Sequence, residues 1–385
     1  MKAVFLLGLL CISVHGYLSQ IQQKSSRVKS TSIESTLVAL GPSARPSPSI
    51  LFLRNLLSNW FFPAELCVLM LAKCNPQLGR TGGSLRPEFW INKVGVIFIF
   101  IINGLTLPTS QLQAAGSSWG IHAFTQFYSL CILPLIGWTL SLMSPQGGIR
   151  DGIRCVASLP STINLCITLT QASGADPVTA IFNAALGNLI GVFWSPVVVY
   201  GMLHAAEGIS ITQSLAKLAN LVLIPISVGQ LIRQTPLGPF LLRFKAYSKT
   251  LGEIVLLGVV LNTFSDTFLT GFSLSPFFVG MLFTAISVFY LSSNFIFWKL
   301  TEIFFPHVDV KTRGAAMICS SQKTLAFGMP FIKATFGHKT NVAEILTPLL
   351  LYYQVQVLLG SLIIVTELKR TINEAGGKLS KEQSK

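Results

Sequence analysis

The residues best suited to chemistry lie where the chain is otherwise apolar. Residues 318–330 read ICSSQKTLAFGMP, with Ser320, Ser321, Gln322, Lys323 and Thr324 inside a hydrophobic run and two helix-disrupting residues, Gly328 and Pro330, after them. Hydroxyl and amide oxygens are neutral ligands for a small cation or a polar solute. An ammonium either attracts an anion or stands permanently where a cation would sit. A lysine at bilayer depth costs about 2.5–3.5 kcal/mol even on lenient insertion scales, so its presence there argues for function. Two structural alternatives are snorkelling, which is easiest near a helix end, and an ion pair with Asp266 of the stretch NTFSDTF. Roughly half a span of apolar sequence flanks Lys323 on either side, which disfavours snorkelling.

A second polar interruption occurs in IRCVASLPSTINLCITLTQASG, residues 153–174, where Pro160 is followed by Ser161, Thr162 and Asn164. Backbone that leaves the helix inside a bilayer is tolerated only where protein or a water-filled cavity satisfies its polar groups. For any one of these side chains, ordinary interhelical hydrogen bonding is an equal reading, worth about 0.6 kcal/mol on average. As two matched clusters they favour a site. In AIFNAALGNLIG, residues 180–191, Asn183, Gly187 and Gly191 recur at i, i+4 and i+8 and share one helix face. The glycines read as close packing, and Asn183 as a residue facing the site. Gln126 is a similar candidate.

Catalytic constellations are missing from the sequence. His15, His122, His204, His307 and His338 are isolated, and neither a zinc-protease helix motif, a nucleophile elbow, a phosphate loop nor a pair of intramembrane aspartates occurs. The seven cysteines are scattered singly without metal-ligand spacing, so neither a metal site nor a disulfide framework is expected. No enzyme and no cofactor are expected, and sodium is a candidate only as a coupling ion.

The elements that must position these residues follow from composition. Of 385 residues, 51% are hydrophobic and 11% charged, and mean hydropathy is +0.62. A soluble domain carries about 25% charged residues, so lipid is the natural solvent for this chain. No charged residue lies between Lys93 and Arg150, Arg154 and Asp176, or Asp176 and Glu207. At about 20 residues per span, ten spans are expected, near 60–74, 90–107, 120–143, 153–172, 178–204, 211–232, 250–268, 275–299, 314–335 and 345–366. The two interrupted segments occupy the fourth and ninth places, the same place in each half of five. That pattern points to two inverted repeats, about 59–205 and 210–367, with a binding site near the midplane.

Outside the ten-span body, residues 59–367, the chain changes character. Residues 1–16 have the form of a signal peptide. Residues 17–58 are Ser/Arg-rich and acid-poor, the composition of a transit segment or of a disordered leader. Residues 368–385 form a basic polar tail. The formal net charge of +14 sits in leader, loops and tail, as is ordinary for membrane proteins. Without exposed aromatics interleaved among the basic residues, no nucleic-acid partner is expected. Loop Lys and Arg fall on opposite sides in the two halves, so the positive-inside rule gives no single orientation.

Six stretches carry a family resemblance: GGSLRPE (82–88), INGLTL (102–107), LPSTINLCITLTQASGADPVTAIFNAALGNLIG (159–191), NTFSDTF (262–268), CSSQKTLAFGMP (319–330) and TPLLLYYQVQVLLGS (347–361). In these the chain resembles the bile acid:sodium symporter superfamily, nearest its member-seven branch with bacterial and plant plastid relatives. The resemblance covers about residues 60–367. It implies an all-α integral membrane protein of ten transmembrane helices in two inverted five-helix repeats. It also implies two discontinuous helices that cross in a core domain, packed against a panel domain. Asn164, Asn183, Gln126 and Gln322 fall near positions where sodium-coupled relatives place ligands. Those relatives carry a glutamate in the ninth segment before the glutamine, whereas MICSSQ has no acid and Lys323 follows. Sodium should therefore bind more weakly here.

The expectation is a secondary transporter of a small organic anion working by alternating access. By analogy with the family the substrate is a bile-acid-like amphiphile or a 2-oxo acid. The alternative, from another class, is a transport-like regulator of ion or calcium homeostasis. Membrane lipid is the expected surroundings and a homo-oligomer a candidate state. The two-part leader resembles those of plastid-targeted proteins, which makes the plastid envelope a candidate membrane beside the plasma and secretory-pathway membranes.

Overall fold

A computed structural model of the chain describes residues 61–83, 86–106, 119–144, 147–203, 219–269, 275–336 and 342–383. The expected signal and transit segments, residues 1–58, lie outside the described residues. Among those described there is no strand. The described residues open with α1 (Phe61–Cys74) and α2 (Pro87–Thr106), followed by α3 (Trp119–Ser141). Next come two short helices, α4 (Gly147–Ser158) and α5 (Ile163–Ser173), then the long α6 (Pro177–Leu203). The second part holds α7 (219–234), the one-and-a-half-turn α8 (Leu237–Leu242), α9 (Lys245–Leu269) and α10 (Pro276–Phe304). It closes with another short pair, α11 (Val310–Ser321) and α12 (Leu325–Phe336), and with α13 (342–383).

Local chemistry accounts for the boundaries. Ser275 caps α10 by accepting from the Phe278 N–H at 3.2 Å, with Pro276 at the first helical position. Asp309 accepts from the Lys311 N–H at the start of α11. Gly174 ends α5 at φ 75°, a left-handed conformation that costs glycine little. Asp176 then opens α6, accepting from the Val178 and Thr179 N–H groups, each at 3.1 Å.

Among the described residues, six helices are long and apolar enough to cross a membrane: α2, α3, α6, α9, α10 and the first 34 residues of α13. The pair α4–α5, bent by 64°, makes a seventh when counted as one broken span. Each of the ten expected spans overlaps a described helix, the sixth only over 219–232 because 211–218 lie outside the described residues, and helix length and composition support six or seven of them as membrane-length. The outward faces are apolar, as lipid requires: Phe277 and Met143 are 84% and 81% exposed. Within, aromatic and branched side chains form one core that includes Phe100, Tyr128, Tyr290, Phe297, Phe331 and Tyr352.

Both expected interruptions are present, at 159–162 between α4 and α5 and at 322–324 between α11 and α12. The first has a local cause. Pro160 has no N–H to continue the ladder, and Thr162 sits in extended conformation. The second does not have the expected cause, because Gly328 and Pro330 both lie inside α12. Nothing in Gln322, Lys323 and Thr324 forbids a helix by propensity. That break is held open by partners from other helices.

Candidate functional site

The two breaks meet. The Thr324 N–H donates to the Pro160 carbonyl at 3.0 Å, joining one interruption to the other. Around this contact, polar groups from α3, α6, α10 and α13 satisfy the backbone that the breaks expose.

Gln356 of α13 is the chief support of the second break. Its Oε1 accepts from the Lys323 N–H at 2.8 Å, and its Nε2 donates to the Lys323 carbonyl at 2.9 Å. One amide thus replaces both helix hydrogen bonds of an unwound residue. One turn earlier, the Tyr352 hydroxyl donates to the Ser321 carbonyl at 2.6 Å. On the other side Ser321 Oγ donates to Asn294 Oδ1 at 2.9 Å, and Gln322 Nε2 to the Tyr290 hydroxyl at 2.7 Å, both on α10. Gln322 Oε1 is buried without a partner. Ser320 is buried but its hydroxyl turns back on the Met317 carbonyl at 2.8 Å, so it serves its own helix. Thr324 caps α12 loosely, its Oγ1 accepting from the Phe327 N–H at 3.4 Å.

At the first break, Asn188 of α6 donates to the Ser161 carbonyl at 2.6 Å and Ser195 to the Ser158 carbonyl at 2.6 Å. α6 comes this close because Gly187 faces the crossing. A Cβ there would stand 2.8 Å from Gln126 Oε1 and 3.0 Å from Ser161 Oγ, so Gln126 and Ser161 flank that one glycine. Gln126 Nε2 in turn donates to the Asn183 carbonyl at 3.0 Å and to Asn183 Oδ1 at 3.3 Å. The close packing expected of the glycine face is therefore what seats the break.

Lys323 is 1% exposed. Its Nζ lies 2.8 Å from the Leu159 carbonyl, 3.0 Å from the Ser129 carbonyl and 3.2 Å from Ser129 Oγ. An ammonium has three donors, and all three are used. The acceptors come from irregular backbone. Leu159 lies in the first break, and Ser129 lies in a π-helical turn of α3, Tyr128–Ile132. Such turns shift the i→i−4 ladder and occur often at functional sites. Among the described residues no carboxylate pairs with Lys323. The alternative pairing with Asp266 does not form: Asp266 accepts from the Thr81 N–H at 2.7 Å and the Thr81 hydroxyl at 2.6 Å. The lysine near Asp266 is Lys333 of α12, whose Nζ bonds Asn262 Oδ1 and, at 2.9 Å, Thr263 Oγ1.

Of the ten candidates read from sequence, the structure thus gathers Gln126, Ser161, Asn183, Ser321, Gln322, Lys323 and Thr324 around the meeting breaks. Ser320 stays on its own helix, and Thr162 is half-buried with no side-chain cap on α5. Asn164, two residues further, is exposed. Ser129, Asn188, Tyr290, Asn294, Tyr352 and Gln356 were not singled out. Among these, Asn188 in AIFNAALGNLIG and Gln356 in YYQVQ are amides in apolar runs, which is the signal the sequence carries for them.

Chemically, the crossing offers two opposed features. The N-termini of α5 and α12 both begin at the breaks and present partial positive charge. The carbonyls freed at Leu159 and Ser129 present negative charge, and Lys323 neutralises it.

Comparison with known proteins matches residues 59–370 to the SBF-like CPA transporter family. Among full-length proteins, the chain is 30% identical over 324 residues to sodium/bile acid cotransporter 7-B of Xenopus laevis, covering 82% of this chain and 93% of that protein. It is 30% identical over 319 residues to sodium/bile acid cotransporter 7 of Mus musculus, covering 80% and 92%. Solute carrier RCH1 of Candida albicans is 25% identical over 365 residues, covering 80% and 88%.

Proposed function

The chain belongs to the SBF-like CPA transporter family, in the member-seven branch of the bile acid:sodium symporter superfamily, and from that premise we propose that it moves a small organic anion by alternating access, with Lys323 as a built-in substitute for a coupling cation. As a member of that family it is a multi-pass membrane transporter of a small molecule rather than an enzyme. The finer reading rests on one observation above the others: the Lys323 ammonium bonds two backbone carbonyls in irregular stretches, those of Leu159 and Ser129, and the Ser129 hydroxyl.

A cation-coupled transporter needs freed carbonyls and hydroxyls that collect a positive ion. Here the oxygens are present and the positive charge is covalently attached. This favours the substitute-cation role over direct attraction of the substrate, because no donor of Lys323 is left over for an anion. It also removes the need for sodium. The two half-helix N-termini at the breaks support an anionic substrate. Ser320, Ser321 and Gln322 are fully buried, so a solute reaches the crossing only if helices move, which is what alternating access supplies. Ten spans in two inverted repeats, with α4–α5 and α11–α12 as the crossing pair, is the architecture that this mechanism calls for.

Counterflow tests the reading. Purified protein in liposomes is loaded with unlabelled monocarboxylates, 2-oxo acids or bile-acid-like amphiphiles and offered the labelled form, with and without sodium. Exchange of at least one anion, independent of sodium, is expected. Failure to exchange any anion would end the proposal and favour a regulatory role in ion homeostasis.

A further inference from the structure

We propose that Glu65 is the proton-binding residue of this transporter, and that binding and release of one proton there accompany each movement of α1 against α13. The inference rests on the transport reading above and adds its coupling ion.

Glu65 is 3% exposed and is the fifth of the fourteen residues of FFPAELCVLMLAKC, the apolar first helix described. Its carboxylate Oε2 accepts from Gln354 Nε2 of α13. That neutral amide is its one hydrogen-bond partner among the described residues, and no lysine, arginine or histidine pairs with it. α9 packs along α1, and among its described side chains Glu253 and Asp266 are not partners of Glu65. On α1 itself Lys73 is in the last turn. On α13, Glu344, Glu367, Lys369 and Arg370 are likewise not partners of Glu65, and Arg370 pairs instead with Glu367 and Glu374.

A buried carboxylate without a cation is among the costliest groups a protein can carry. Its position matters as much as its burial. Gln354 lies two residues from Gln356, which holds the break at Lys323, and two from Tyr352, which holds Ser321. A displacement of α13, together with the crossing it supports, relative to α1 withdraws the donor from Glu65. The carboxyl then meets either water or apolar surface without its partner, and a proton is what balances that change. With the cation position occupied by a tethered ammonium, the proton is the mobile charge left to couple. One proton carried with one monovalent anion moves no net charge.

Two measurements on the full-length reconstituted protein test this. The first needs no substrate. Infrared difference spectra between acid and alkaline buffer report carboxyl protonation, with the proton itself as the probe. The wild type should show a buried carboxylic-acid C=O band that Glu65→Gln loses and Gln354→Leu shifts. The Gln354 variant keeps the test open should Glu65→Gln not fold. Identical titrating bands in wild type and folded Glu65→Gln would overturn the proposal, as would an unmoved band in Gln354→Leu.

The second measurement uses the anion that gives counterflow. Within each protein, uptake is compared with and without an inward tenfold proton gradient. For one-to-one coupling the wild type should accumulate anion up to about tenfold, and the ratio should fall to one in Glu65→Gln. A wild type that exchanges anion but ignores the gradient overturns proton coupling and leaves the transport reading standing. Absence of all exchange fails the transport reading, and with it the coupling, while the infrared bands still decide whether Glu65 binds a proton.

Discussion

Replacing Lys323 with alanine separates a substitute cation from a structural lysine. In the native protein the ammonium makes three hydrogen bonds, each worth about 1.5–3 kcal/mol when one partner is charged. The gross gain is roughly 4.5–9 kcal/mol, set against about 2.5–3.5 kcal/mol for placing a lysine at bilayer depth. The net loss on substitution is then about 1–6.5 kcal/mol. At about 2–4 °C per kcal/mol for a chain somewhat smaller than this one, the variant should melt several degrees lower. The substitution also opens a space lined by the Leu159 and Ser129 oxygens, which suits a small cation. If sodium enters with a Kd of about 10 mM, then about 100 mM sodium restores roughly 1.4 kcal/mol, by mass action. The wild type, with the position filled, should gain nothing from sodium. Thermal denaturation and counterflow are measured together, in choline and in sodium buffer. The expected pattern is loss of exchange by about tenfold or more in choline with partial recovery of stability and exchange in sodium. A variant that exchanges like wild type in choline, or a wild type that needs sodium, would refute the reasoning.

Three further outcomes are expected. Gln356→Leu removes the partner of both the N–H and the C=O of Lys323, at about 1–3 kcal/mol for each buried group left unpaired; thermal denaturation should show a loss of roughly 2–6 kcal/mol, and a loss below about 0.5 kcal/mol would mean water replaces the amide. Lys333→Met cuts the bonds to Asn262 and Thr263, so amide hydrogen exchange should rise across 259–269 of α9 while residues 320–324 stay protected; equal exchange in both regions would deny Lys333 a linking role. A fluorescent reporter fused to residues 1–60 should reach the plastid if the leader is of the two-part kind, and retention in the secretory pathway would assign the protein to those membranes.

How much of this was legible beforehand depends on the range of each interaction. The first break could be read because its cause is local: Pro160 sits at the break and cannot donate. The second was located for a reason that fails, since Pro330 lies inside α12. What opens it is Gln356, 33 residues away, and Pro160 of the other break. Ser129, which receives Lys323, is 194 residues from it in sequence, and the π-helical turn that exposes its carbonyl has no signature in FYSLCIL. Asn164 shows the converse. Proximity to the break marked it, but helical phase turns it to the exposed side. Residue type and interruption were visible in sequence, whereas the partner across the fold and the direction of a side chain were not.

The hydrogen bonds also suggest where movement occurs. One set ties α3, α6, α10 and α13 to the two breaks through Ser129, Asn188, Tyr290, Tyr352 and Gln356. Another set ties α2 and the turn before it to α9: Asn92 donates to Asn262 at 2.8 Å, Asn262 to the Gly79 carbonyl at 2.8 Å, and Thr81 to Asp266. Gln230 of α7 joins that second set by donating to the Gly104 carbonyl of α2 at 2.6 Å. Between the two sets run the Lys333 bonds to α9 and the Gln354 bond to Glu65. Most bonds of the first set satisfy backbone groups that the breaks expose, so breaking them costs about 1–3 kcal/mol for each orphaned group. The links between the sets join side chains, and these can exchange a protein partner for water or a proton. A movement that keeps the crossing intact and breaks these links is therefore the cheaper one, which puts the charged residues Glu65 and Lys333 at the sliding surface and leaves Lys323 fixed inside the moving body.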